Sequence, residues 1–146
     1  MPALALNANS SAVTAIGNDY GYDQVFARKL EAFAQAGDIA VAISTSGNSV
    51  NVIEAVQCAR RLGVFTIGLT GASGGRLRDA VDVLISVPSD ETPRVQECHL
   101  LIGHSLCEAV ERAVVLETAI PRRAAPEAVT RDIRPHQTPC RESLGS

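Results

Sequence analysis

The chain has 146 residues, which is enough for one domain with a sizeable core and hardly enough for two. Apolar residues make up 46% and charged residues 20%, as in an ordinary soluble globular protein. Aromatic residues make up only 3% and the net charge is −3, so we expect neither base stacking on nucleic acid nor attraction to acidic membranes.

The cysteines and the apolar segments bear on the location of the protein. The four cysteines lie far apart and form no CxxC pair, so neither a disulfide framework nor a zinc finger is predicted. No segment reaches the ~18 consecutive apolar residues of a membrane span, and no secretory leader opens the sequence. We therefore expect reduced thiols and a cytoplasmic location.

Hydrophobic periodicity predicts alternating strands and helices along residues 1–117. The expected strands are residues 1–6, 39–43, 64–69 and 83–87. The expected helices are a turn at 12–16, a helix from Val25 closed by Gly37 and Asp38, one ending at Gly63, a short one at 77–80, and a long one from Thr92 to about Leu116.

This order predicts the architecture of the domain. The apolar run at 39–43 is typical of a strand buried on both faces. Strands and helices that alternate with short connections predict a doubly wound parallel sheet, that is, a flavodoxin-like three-layer αβα fold. Residues 118–146 are rich in Pro, Arg and Ser and have no apolar period, so a disordered tail is predicted there.

A run of hydroxyl side chains lies between the strand at 39–43 and the helix that follows. Ser44, Thr45 and Ser46 precede Gly47, and Ser49 falls in the first turn of the helix. Ligands of parallel α/β sheets bind beyond the carboxyl ends of the strands, and a helix N-terminus favours an anion. Hydroxyls can donate to a phosphate without adding charge, and glycine permits close backbone approach. The loop therefore predicts a phosphate site.

Two observations limit the ligand of this loop. The sequence there has neither GxxxxGK[ST] nor GxGxxG, so a small phosphorylated metabolite fits better than a nucleotide. The simpler alternative is that Ser46 or Asn48 caps the helix and that the other hydroxyls are incidental.

Three segments, in order, carry a resemblance to a known family. They are AIGNDYGYDQVFARKLEA, ISTSGNSVNVIEAVQCARRLG followed by TIGLTGASGG, and RVQECHLLIGH. The second resembles the phosphosugar site of the sugar isomerase (SIS) domain, and together they resemble phosphoheptose isomerase over residues 2–117. The resemblance implies a SIS-type fold and conversion of sedoheptulose 7-phosphate to D-glycero-D-manno-heptose 7-phosphate, a step of heptose biosynthesis. It also implies a homotetramer with active sites built between subunits.

The resemblance further implies roles for single residues. Asn18 and Asp19 would contact the sugar, although a plain turn is the alternative reading of this pair. The hydroxyl loop would hold the sugar phosphate, through Ser44, Thr45, Ser46 and Ser49.

The last predicted helix carries two further residues of the resemblance. Gln96 would bind substrate or zinc, and His104 would bind zinc or serve as the catalytic acid or base. Eight residues on a helix correspond to ~12 Å along the axis and ~80° around it, so sharing one zinc ion would require converging side chains or a distortion. His99 points away from His104, and we expect it in the core or at an interface.

Family members carry further structure before the segment that matches Pro2. It comprises a helical region, a strand, an NGGS-type loop, and a helix with a His and a Glu one turn apart, and this sequence has no counterpart. Since that region holds the family's expected general base and two zinc ligands, we interpret the chain as an N-terminally truncated phosphoheptose isomerase with impaired turnover. The alternative is a non-catalytic SIS module that binds a phosphosugar or a protein, as replication-initiator-associated members do.

Overall fold

The computed structural model describes residues 2–119 of the chain. The elements in chain order are α1 (Ser10–Tyr20), α2 (Ala27–Phe33), β1 (Ile39–Ile43), α3 (Val50–Arg61), β2 (Phe65–Thr70), β3 (Val83–Ser86) and α4 (Thr92–Ala119). Short 3₁₀ turns at Tyr22–Gln24 and Gly75–Leu77 precede α2 and follow β2. Residues 120–146, which make up nearly all of the predicted tail, lie outside the described residues.

The three strands form one parallel sheet in the order β1-β2-β3. Ile43 pairs with Leu69 and Thr70 pairs with Ser86, so the carboxyl ends of the strands meet at one edge. The chain returns between strands through α3 and through the 3₁₀ turn at Gly75–Leu77, which keeps the strands parallel. The predicted parallel α/β sheet flanked by helices is confirmed.

The core lies between α3 and one face of the sheet. The apolar residues of α3 recur at helical spacing, so one side of the helix is buried. The buried residues of α3 are Ile53, Ala55, Val56, Cys58 and Ala59. Small alanines on both sides, Ala40 and Ala42 in β1 among them, let the helix approach the sheet closely. The helix α2 packs on the outer side of this layer through Ala27 and Leu30.

Residues 2–6 are not a strand, contrary to the prediction. The strand β1 is at the edge of the sheet, and within the described residues nothing pairs with its outer side. Residues 2–6 do not use this free edge, and their alanines and proline favour strands poorly. Instead Leu6 packs against the α2–α3 cluster, and its carbonyl accepts a hydrogen bond from Lys29 Nζ.

The strand β1 is buried on one face only, contrary to the prediction. Ile39, Val41 and Ile43 are 64%, 49% and 55% exposed, whereas the alternating alanines pack against α3. The register places Phe65 and Val83 on the same face, and both are also exposed. An apolar run shows that a strand can be buried but does not show what covers it. We call these five residues the open sheet face.

Two helix boundaries also differ from the prediction. The helix α1 is longer than the expected turn because Asn9 caps it, accepting a hydrogen bond from the backbone N–H of Ala12. The short helix expected at 77–80 is instead the 3₁₀ turn at Gly75–Leu77.

Within residues 2–119, no helix is long and apolar enough to cross a membrane.

Candidate functional site

A cavity of about 220 Å³ lies at the edge where the carboxyl ends of the strands meet. Three connections form its walls: the hydroxyl loop after β1, the turn after β2, and the segment between β3 and α4. The lining residues are Thr45, Ser46, Asn48, Ala72, Ser73, Ser89, Asp90, Thr92 and Val95. This is the position at which a parallel α/β sheet binds its ligands.

The hydroxyl loop is held by its own hydrogen bonds. Ser44 is buried, and its hydroxyl shares a hydrogen bond of 3.0 Å with that of Ser49. Ser49 is the N-cap of α3, but its side chain makes no capping hydrogen bond. The Ser46 hydroxyl accepts from the backbone N–H of Asn48 rather than from the helix. Neither Ser46 nor Asn48 caps α3, so the N-terminus of the helix keeps its capacity for an anion.

Glycines allow two walls of the cavity to touch through their backbones. Gly47 has φ +67°, and a Cβ at that residue would overlap the carbonyl of Gly74. A Cβ on Gly75 would in turn overlap the Ser46 carbonyl. The N–H of Leu77 donates to the Gly47 carbonyl at 3.1 Å, and that of Gly71 donates to the Thr45 carbonyl at 2.8 Å. The hydroxyl loop and the turn after β2 therefore form one unit.

Arg78 supports the turn after β2 from outside. Its Nε donates to the Ser73 carbonyl at 2.9 Å, and an Nη donates to that of Ala72 at 3.2 Å. This guanidinium neutralises carbonyl charge beside the cavity without lining it. The side chains at the cavity surface are hydroxyls, amides and small apolar groups, with one carboxylate, Asp90.

The α4 wall is fixed by a buried histidine. His99 is only 7% exposed, and its Nε2 lies 3.2 Å from the Thr70 carbonyl. Because a carbonyl only accepts, Nε2 carries the proton, while Nδ1 is buried without a partner among the described residues. The bond ties α4 to the end of β2, next to the cavity residue Val95, which is itself buried. His99 thus lies in the core, one of the two places expected.

The predicted sugar contacts Asn18 and Asp19 are not among the residues that line this cavity. Asn18 and Asp19 lie in the last part of α1, not in a plain turn, and both are exposed. Asn18 Nδ2 donates to Asp19 Oδ1 at 2.8 Å, so the two side chains bind each other. Neither residue lines the cavity.

Gln96 and His104 are also not among the lining residues, although Gln96 directly follows the lining residue Val95. Both are exposed on α4, and neither contributes to the lining. Nowhere in residues 2–119 do three or more His, Cys, Asp or Glu side chains come close enough to hold a metal ion. The described residues therefore do not fit a zinc site by themselves.

Several cavity residues were not among the candidates from the sequence. Asn48, Ser73, Ser89, Asp90 and Thr92 line the cavity with the predicted Thr45 and Ser46. The signal that could have found most of them is the same rule that selected the hydroxyl loop. Because the strands are parallel, the residues after β2 and β3 lie at the same edge as those after β1.

Two groups with shifted pKa values lie outside the cavity. Hydrogen bonds from the side chain and backbone of Thr66 lower the pKa of Asp82. Burial raises the pKa of the Cys58 thiol, and nearby Glu31 adds to the effect. Thr66 is near the amino end of β2 and Cys58 is in the α2–α3 core, so both groups stabilise the fold rather than form the site.

Known proteins match both the sequence and the fold. Residues 1–71 match the SIS domain family. A phosphoheptose isomerase from Sulfurimonas denitrificans is 53% identical over 114 residues, which cover 78% of this chain and 58% of the relative. A phosphoheptose isomerase from Geobacter sulfurreducens is 54% identical over 112 residues, with 77% and 59% covered.

Solved structures agree with these matches. Phosphoheptose isomerase from Neisseria gonorrhoeae superposes with a TM-score of 0.73 at 47% identity, covering 75% of this chain and 61% of that one. The Francisella tularensis enzyme gives a TM-score of 0.74 at 41% identity, with 76% and 62% covered. The chain thus spans about three-fifths of the length of these relatives.

The chain has a parallel α/β sheet with a hydroxyl loop at its carboxyl edge, and residues 1–71 resemble the SIS domain family. Over the matched residues, its sequence and fold are similar to those of phosphoheptose isomerases. The resemblance read from the three sequence segments is confirmed.

Proposed function

We propose that the chain binds a phosphorylated sugar with its phosphate at the hydroxyl loop. The observation that supports this most is the cavity at the carboxyl edge of the sheet, lined by Thr45 and Ser46 and adjoining the uncapped N-terminus of α3. Backbone N–H groups and hydroxyls bind a phosphate dianion there without a lysine. The relatives' name makes a heptose phosphate the first substrate to test.

The proposed reaction is that of the family, isomerisation of sedoheptulose 7-phosphate to D-glycero-D-manno-heptose 7-phosphate. An aldose–ketose isomerisation requires groups that move protons between C1 and C2 and between the two oxygens. His104 is the proposed acid or base, with Gln96, Asn18 and Asp19 as sugar contacts. Zinc, a homotetramer and a cytoplasmic location are further proposals from the family. Zinc would require ligands from beyond the described residues.

A second function is favoured because none of these four residues lines the cavity. Of the predicted phosphate contacts, Thr45 and Ser46 line it, whereas Ser44 and Ser49 do not. A chain with a phosphate site and no gathered acid–base groups would bind a phosphosugar with little turnover. The two functions share one binding step and differ only in the rate of isomerisation.

Removing hydroxyls from the loop tests the shared step. The double variant Ser44→Ala, Ser46→Ala should weaken binding of sedoheptulose 7-phosphate, because hydrogen bonds to a charged group contribute ~1.5–3 kcal/mol each. The measurement is isothermal titration of both proteins. Ser105→Ala is the control, since that hydroxyl donates to the Leu101 carbonyl of its own helix and does not line the cavity.

Affinity that survives the double substitution would refute phosphate binding at this loop. A coupled assay for isomerisation on the same samples then separates the two functions. Turnover favours the isomerase, and binding without turnover favours the non-catalytic SIS module.

A further inference from the structure

Asn48 joins two walls of the cavity through its side chain. Its Oδ1 accepts from the backbone N–H of Arg76 at 3.0 Å, in the 3₁₀ turn beyond β2. Its Nδ2 donates to the Ser46 carbonyl at 2.9 Å, within the hydroxyl loop. A side chain of this length needs both an acceptor and a donor to make these two bonds, and an amide provides them.

The two bonds of Asn48 lie where the hydroxyl loop and the turn after β2 are already in backbone contact. Gly47 and Gly75 already place the two backbones in contact, so the walls cannot move closer. Two backbone hydrogen bonds already oppose separation of the walls, from Leu77 N–H to the Gly47 carbonyl and from Gly71 N–H to the Thr45 carbonyl. The bond from Arg76 N–H to Asn48 Oδ1 is a third, next to the Leu77 bond, and it is made by a side chain.

The walls carry the groups that would bind the ligand. Thr45 and Ser46 line the cavity on the side of the hydroxyl loop, and Ala72 and Ser73 line it on the other side. Arg78 holds the carbonyls of Ala72 and Ser73, so this turn moves as a unit. The bridge from Asn48 to Arg76 therefore adds to the backbone hydrogen bonds that set the spacing between the walls.

We infer that Asn48 is a positioning residue that sets the width of the phosphosugar cavity through Ser46 and the Arg76 backbone. The inference rests on the proposed function, because it names the residue that shapes the same site. Inorganic phosphate needs only the hydroxyl loop, whereas a sugar phosphate must also fit against the second wall. Loss of the bridge should therefore weaken the sugar phosphate more than phosphate alone.

The test compares two ligands and one amide. In Asn48→Ala, we expect sedoheptulose 7-phosphate to bind about tenfold more weakly and inorganic phosphate less than about threefold more weakly. The Arg76 amide should exchange its hydrogen about tenfold faster, as followed by NMR. Asn48→Asp keeps the acceptor, so the Arg76 amide should stay protected, while the added charge weakens both ligands. Gln57→Ala, which removes an exposed amide of α3, should change none of these quantities.

Each result bears on the inference. An equal loss for both ligands would make Asn48 a direct phosphate contact and overturn the positioning role. Unchanged affinities, or an Arg76 amide that exchanges as in the unsubstituted chain, would overturn it as well. If the unsubstituted chain bound neither ligand while Asn48→Ala still exposed the Arg76 amide, the proposed function would fail and the positioning role with it. Binding by the unsubstituted chain, with no effect of Asn48→Ala, would leave the proposed function intact.

Discussion

At the scale of single residues, the cavity depends on positions where a side chain is excluded. Gly47 has a positive φ and faces the Gly74 carbonyl, so an added Cβ would be unfavourable for two separate reasons. The left-handed conformation costs about 1 kcal/mol for most residues, and the overlap would push the turn after β2 away. The glycine in the loop is thus required by contact between two backbones, in addition to any approach of a phosphate.

Gly47→Ala should lower both the free energy of unfolding and the affinity for a sugar phosphate. We expect a loss of about 1–3 kcal/mol in stability, measured by urea unfolding. Gly37→Ala is the control, because Gly37 also has a positive φ (93°) and a Cβ added there meets no described atom within 4 Å. If the two variants lost the same stability, the overlap with Gly74 would contribute nothing and the two loops would not be tightly joined.

At the scale of elements, what the sequence could predict follows from local patterns. The helix α3 was predictable because Ile53, Val56 and Ala59 recur at helical spacing and Gly63 takes a positive φ just after it. The hydroxyl loop was predictable because hydroxyls and glycine stand between a strand and a helix. Both depend on residues close together in the sequence.

Features formed by distant segments were not predictable in this way. The exposure of Ile39, Val41 and Ile43 depends on what covers the sheet, and the apolar run is the same in either case. Asn48 entered the sequence analysis only as an alternative helix cap, because its bond to Arg76 joins residues 28 positions apart and leaves no local pattern. A plain turn was the alternative for the predicted sugar contacts Asn18 and Asp19, because GNDYG is rich in turn residues, yet α1 continues through both.

The start of β2 is tied to the start of β3 by a polar pair. Thr66 donates from its N–H and from its hydroxyl to Asp82 Oδ2, both at 2.7 Å, and Thr66 is fully buried. In return, the Asp82 N–H donates to the Thr66 hydroxyl at 3.0 Å. These bonds favour the carboxylate form and lower the pKa of Asp82 below its ordinary 3.8.

Asp82→Asn should destabilise the chain at neutral pH, and the difference from the unsubstituted chain should shrink in acid. A lowered folded-state pKa gives stability that is present above the unfolded value of 3.8 and is lost as pH falls toward the folded value. Urea unfolding at pH 7 and at several values below 4 measures this difference. Asp79→Asn, at an exposed carboxylate, is the control. A difference that stayed constant across this range would mean that the Asp82 charge does not stabilise the sheet.

At the scale of the whole molecule, the sheet is covered unevenly. The helices α2 and α3 form a layer over the alanine face of β1, while α4 packs mainly against the end of β2. Parallel sheets are normally covered on both faces, so it is unusual that the apolar side chains of the open sheet face are exposed. The helix α4 adds exposed apolar side chains, among them Leu100, Leu101 and Val110. Two apolar surfaces, the open sheet face and the exposed side of α4, could therefore take part in the self-association that the family resemblance predicts.

We predict that the chain self-associates at micromolar concentration through the open sheet face. Burying one valine or isoleucine side chain contributes ~1.5–3 kcal/mol, so several of them together can hold a complex. Val41→Lys places a charge in the middle of this face and should weaken association by about tenfold or more. Light scattering across a dilution series measures the change in mass. Phe33→Lys is the control, because Phe33 is also apolar and exposed but lies on α2 and not on the open sheet face. A well-folded monomer of the unsubstituted chain would contradict the prediction. Equal effects of the two lysines would assign association to general surface hydrophobicity instead.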